Sequence, residues 1–116
     1  MIVSIGQFQL KKRSLLPKFL LLSKQVYLQA LESKGNINAE LKNEGIKYFY
    51  SFTHWDNMED MKNFVHTNFH LQALKETEKL CKKACFIYYE SDEFVNFENA
   101  KAELKNNSNT RFITPN

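Results

Sequence analysis

From Ile46 to Trp55 the chain spells a strand that carries rings on both sides. Side chains alternate along a strand, so Tyr48, Tyr50, Phe52 and His54 fall on one face. Phe49, Ser51, Thr53 and Trp55 fall on the other. Neither face is polar enough to stand in water, and one layer of helices covers only one of them. Ten Phe, five Tyr and one Trp make 14% of the chain, against three Gly and two Pro. The remaining elements must therefore serve as cover, with little sequence set aside for turns.

Those elements can be read in order. Met1 to Gln9 is apolar and β-branched and predicts a first strand, with Gly6 marking a bulge or a close approach. After the basic Lys11-Lys12-Arg13 loop, Pro17 suits the first turn of a helix. Phe19, Leu22, Val26 and Ala30 recur at helical spacing, Leu20, Tyr27 and Leu31 widen the stripe, and Gly35 stops it. Asn36 to Lys42 alternates as a half-buried strand near a sheet edge, and the Asn43-Glu44-Gly45 turn joins it to the ring-bearing strand.

Asp56-Asn57-Met58-Glu59 has the form of a capping box. Met58, Met61, Phe64 and Val65 then mark a helical face that stumbles near Thr67-Asn68 and resumes as His70, Ala73, Leu74, Thr77 and Cys81. One helix with a break, or two short ones, fits this pattern. Ala84 to Tyr89 reads as a fourth strand, and Asn96 to Lys105 as a short amphipathic helix. The order predicts an α+β, ferredoxin-like β-α-β-β-α-β fold with an antiparallel sheet and both main helices on one face. The domain spans 1–106, and 107–116 reads as a polar tail. The sheet face without helices then calls for a second copy of the chain, giving a homodimer.

Composition narrows the class. A chain of 116 residues, 43% hydrophobic and 25% charged, has the make-up of one ordinary globular domain. The formal charge of +3 makes no case for nucleic acid. Lys47-Tyr-Phe-Tyr-Ser-Phe52 looks superficially like an RNA-recognition strand but lacks the glycines. The apolar run from Ser14 to Ser23 holds Pro17 and Lys18 and is too short to cross a bilayer, so no membrane partner is expected. Cys81 and Cys85 have no second pair to complete a zinc site. They read as buried or half-buried thiols that would share a face if both lay on one helix, and the expected setting is a reducing cytoplasm.

The stretch Ser51-Phe-Thr-His-Trp-Asp-Asn-Met-Glu-Asp-Met-Lys-Asn-Phe-Val-His-Thr-Asn-Phe-His-Leu-Gln-Ala73 resembles the dimeric α+β barrel superfamily. In particular it is similar to spheroidene-monooxygenase-like and antibiotic-biosynthesis-monooxygenase-like proteins. Ser51, Trp55, Phe64, His70 and Ala73 carry the likeness. The resemblance implies the dimeric barrel fold. It also brings in a superfamily that includes heme-degrading enzymes and cofactor-free quinone-forming oxygenases, besides members with no known activity. The heme-degrading branch's axial His, helical Trp and first-strand Asn fall on Leu74, Phe64 and near Gln7. All three differ, so heme degradation is not implied, and neither heme nor flavin is expected. The His of the spheroidene-like branch matches His70.

The candidate chemistry centres on imidazoles and rings. His66 and His70 share a face of an unbroken helix, and His54 ends the strand that feeds it. No H-E-x-x-H pattern or companion carboxylate spacing accompanies them, so no metal site is expected. Tyr48, Tyr50 and Phe52 could line a flat hydrophobic pocket for an aromatic or isoprenoid-like ligand, or simply be core or dimer interface. The oxygenase version takes His70 as base and His54 or Gln7 as polarising partner, with Trp55 and Phe64 as walls and His66 nearby. The rival reading is a non-catalytic dimer that binds a small molecule or a partner.

Overall fold

The computed structural model describes residues 1–106 and the backbone of 111–113. Five strands form one antiparallel sheet in the order β2-β3-β1-β4-β5: β1 Ile2–Leu10, β2 Asn36–Glu44, β3 Tyr48–Trp55, β4 Cys81–Glu90 and β5 Arg111–Ile113. β2 takes the edge, as its alternation predicts. β5 pairs with β4 from within the stretch read as a tail, the rest of which lies outside the described residues.

One face of the sheet carries α1 (Leu16–Glu32), α2 (Met58–Val65) and α3 (Asn68–Leu80). Pro17 lies in the first turn of α1, and Gly35 follows its end at φ 82°, where only glycine is unstrained. The stripe of α1 is narrower than its spacing suggests: Phe19 and Ala30 are buried, while Leu20 and Leu31 stay exposed. The stumble after Val65 separates two helices. Thr67 caps the second, its hydroxyl accepting from the His70 N–H at 3.2 Å. The cap of α2 falls one residue later than the expected box: Asn57 Oδ1 accepts from the Asp60 N–H at 2.9 Å. Adjacent Asp and Asn are both good caps, and only the backbone path chooses between them.

The opposite face is not left bare. α4 (Phe97–Asn106) lies on it, and Ala100, with Phe97 and Leu104, packs against Val3, Ile5, Phe52 and Ile87. This corrects the premise that only a second copy can cover that face. Cys81 and Cys85 do not share a helical face either. Both lie on β4 with no disulfide, and a register shift between Gln9 and Leu10 puts them on opposite sides of the sheet. Burial pushes the Cys81 thiol up to about 12, so it is an inert core residue. No helix among the described residues is long and apolar enough to cross a membrane.

Candidate functional site

Strand register sorts the candidate residues. Gln7 pairs with Tyr50, Gln9 with Tyr48, Ile5 with Phe52 and Val3 with His54, all on the face that carries α4. Trp55 is opposite Ile2 and belongs, with Phe64, to the core beneath α1 and α2. His54 and Tyr50 are four residues apart on β3, roughly 13 Å at the usual rise. The three imidazoles therefore do not converge, and His70 lies across the sheet from His54 and Gln7. Among the described residues no group of three or more His, Cys, Asp or Glu side chains could hold a metal ion.

On the helical side, rings run in series. Trp55 and Phe64 have centroids 5.2 Å apart, and Phe64 and His70 4.9 Å apart, edge to face. The Trp55 indole donates to Thr53 Oγ1 at 2.8 Å. His70 is half-buried, and its Nδ1 has no partner among the described residues. Burial lowers its pKa, the Val65 backbone opposes that shift, and His66 adds to it. His66 itself is exposed. Trp55 and Phe64 do stand beside His70, but as packed neighbours.

On the α4 side, a hydrogen-bonded chain crosses from the sheet to the helix. Gln7 Nε2 donates to the Tyr50 hydroxyl at 3.1 Å, and that hydroxyl donates to Glu44 Oε1 at 2.6 Å. Lys101 Nζ donates to Glu44 Oε2 at 3.1 Å, pairs with Glu98 at 3.4 Å and stands 4.7 Å from the centroid of the Phe97 ring. Phe97 in turn meets Tyr50 edge to face at 4.9 Å. Bonds from Tyr50 and Lys101 hold the Glu44 carboxyl below its ordinary range, while burial and then the Glu44 bond push the Tyr50 phenol up. At neutral pH the chain thus reads carboxylate, phenol and ammonium.

This chain lines a cavity of about 410 Å³, with sheet residues Gln7, Glu44 and Tyr50 on one side and α4 residues including Glu98, Lys101 and Leu104 on the other. A second cavity of about 240 Å³ adjoins it at Gln7 and is lined by Gln9, Tyr48, Lys83 and Cys85. Of the expected pocket residues, Tyr50 lines the first cavity and Tyr48 the second, with Gln7, expected as a polarising partner, in both, and the lining is polar. Phe52 is sealed beneath α4. Glu44, Glu98 and Lys101 were not anticipated. Glu44 read as a turn residue, although Phe97, Ala100, Lys101 and Leu104 do share a helical face.

His54 is 1% exposed, and its Nε2 accepts from the Val95 N–H at 3.0 Å. Phe94 lies edge-on at 4.9 Å, and Nδ1 is buried without a partner among the described residues. Burial lowers its pKa, and Glu40 opposes the shift.

No family model matches the chain, and no curated protein matches it in sequence. Solved structures do. A candidate antibiotic biosynthesis monooxygenase from Deinococcus radiodurans superimposes with a TM-score of 0.75 at 18% identity, covering 84% of this chain and 98% of that one. Its counterpart from Nitrosomonas europaea gives 0.73 at 14%, covering 80% and 100%. The fold is the ferredoxin-like fold of the antibiotic-biosynthesis-monooxygenase structures. SnoaB, a cofactor-independent oxygenase from Streptomyces nogalater, shares it with a TM-score of 0.68 at 8% identity, covering 81% of this chain and 95% of its own. Across such distances the ferredoxin-like frame is held in common, and the chemistry has to be argued from the side chains of each member.

Proposed function

We propose that this chain is a monooxygenase-like, small-molecule-binding protein that takes a planar hydroxylated aromatic in the Gln7–Tyr50 cavity. The observation that carries the reading is the Gln7–Tyr50–Glu44–Lys101 chain lining a cavity of about 410 Å³, a size suited to a small organic ligand. A phenolic hydroxyl can donate to the Glu44 carboxylate and accept from Lys101, while the Tyr50 ring and Leu104 offer apolar contact. Cofactor-free oxygenation needs a deprotonated substrate, a base and a dry cavity. The ionised Glu44 orients a hydroxyl better than it strips one, because its lowered pKa makes it a weak base. Binding is therefore the core of the proposal, and the oxygenase step is its extension, supported by the fold shared with SnoaB.

A second reading keeps His70 as the base, favoured by an Nδ1 without a partner among the described residues and by the burial that keeps its imidazole neutral. Calorimetric titration with naphthol and naphthalene separates the two. The cavity reading expects naphthol to bind more tightly, with Tyr50→Phe and Gln7→Ala each weakening it about tenfold and His70→Ala without effect. Loss of binding in His70→Ala alone would move the site to the helical side. A cytoplasmic setting belongs to the same proposal, in keeping with two cysteines that form no disulfide. So does a homodimer, in which a second copy and α4 compete for the same sheet face.

A further inference from the structure

We propose that α4 is a latch over the Gln7–Tyr50 cavity, and that protonation of His54 opens it. The device starts from the segment that leads into the helix. Asn96 caps α4, its Oδ1 accepting from the Asn99 N–H at 2.8 Å, and Val95 stands immediately before that cap. The Val95 N–H donates to His54 Nε2 at 3.0 Å, across 41 residues of sequence. An imidazole nitrogen accepts only when it carries no proton, so His54 is neutral with its hydrogen on Nδ1. Protonation would set a ring N–H against the Val95 N–H. Two donors cannot share that bond, and the ring is too buried, at 1% exposed, to turn toward water. Nδ1 already lacks a partner, so the charged ring would have no acceptor on either side among the described residues.

The other tethers of α4 do not titrate in the same range. Glu44 is held below its ordinary value and Lys101 above its own, so that ion pair stays charged. Around His54, β2 presents Glu40, which favours the charged ring and is outweighed by burial. β1 presents Val3, and across it β4 presents Tyr89, whose phenol burial pushes up. Asp92 and Glu93 are exposed in the segment before Phe94, and on α4 Glu98 is paired with Lys101. Among these groups His54 is the one whose protonation the docked segment opposes, burial lowering its pKa.

Opening has a defined consequence for the site. Glu98, Lys101, Ala102, Leu104 and Lys105 form the α4 wall of the cavity. When the latch leaves, a ligand loses that wall, so affinity falls with pH. This last step rests on the proposed ligand site, whereas the latch itself does not. The sign follows from burial. Below a pKa near 6.5 His54 takes up a proton when the latch is open that it refuses when the latch is docked, so docking is complete above that pH and weakens below it.

Amide hydrogen exchange without ligand tests the latch. Protection at Ala100 and Leu104 should fall by up to about tenfold per pH unit below 6.5 and stay below that of α1 amides such as Ala30, which exchange only when the whole fold opens. In His54→Gln the side-chain carbonyl still accepts from Val95 but does not titrate, and the pH response of α4 should vanish. If that variant does not fold, the wild-type His54 resonances serve, since their titration should coincide with the loss of α4 protection. Equal protection in α4 and α1 at every pH, an unchanged response in His54→Gln, or His54 titrating while α4 stays protected would each overturn the proposal. Because naphthol is absent from this experiment, its failure leaves the ligand site standing. Failure of the Tyr50→Phe titration likewise leaves the latch standing.

Discussion

Gly6 sits where β1 and β3 face each other with no room for a methyl group. A Cβ there would lie 2.9 Å from Ser51 Oγ and 3.1 Å from the Phe8 ring. Gly6→Ala should therefore destabilise the fold by about 1–3 kcal/mol through overpacking. Urea denaturation checks this, and an unchanged midpoint would contradict it. This close approach was legible in the sequence, because a lone glycine in a β-branched run needs a reason. That Tyr50 and Gln7 line a cavity is a separate matter: the first was a candidate from its face on β3 and the second from the resemblance. Glu44 was not legible. Its meaning comes from Lys101, 57 residues away, and no local pattern links a turn glutamate to a helix that docks from the far end of the chain.

Elements were easier to place than their partners. The periodicities mark the four main strands, α1 and the amphipathic helix near the C-terminus. The break near Thr67 was visible as a lapse in the stripe, and the Thr67 cap turned it into two helices. The fourth strand starts at Cys81, three residues earlier than its dense apolar run suggests. A helical stripe that includes Cys81 and a strand that begins there are indistinguishable locally. The docking surface of α4 was the larger omission. Its apolar face was plain, but a ferredoxin-like sheet has two faces, and only the assembled molecule shows Ala100 at 0% exposure over Val3 and Phe52. If α4 and a second copy compete for that face, Ala100→Glu should dislodge the helix and raise the dimer fraction in sedimentation velocity. A variant that loses α4 and remains wholly monomeric would remove the homodimer from the account.

At the scale of the molecule, the sheet divides the candidate chemistry into two sets. His70 stands on the helical side with Phe64 and Trp55, while Gln7, Tyr50 and Glu44 stand on the α4 side with His54 further along. Burial lowers the pKa of both His54 and His70. As pH falls below about 6.5 the unfolded chain binds protons that the folded one resists, so stability at pH 5 should be lower than at pH 7.5. Urea midpoints at the two pH values check this, with a smaller difference expected in His54→Gln; an equal or higher midpoint at pH 5 would contradict it. A ligand should enter on the α4 side of the sheet, and nuclear magnetic resonance titration of the labelled chain with naphthol reads this out residue by residue. Saturable shifts should cluster at the amides of Gln7, Tyr50 and Lys101, with those of Phe64 and His70 unmoved. Shifts confined to the segment from Phe64 to Ala73, with the α4 side silent, would contradict it.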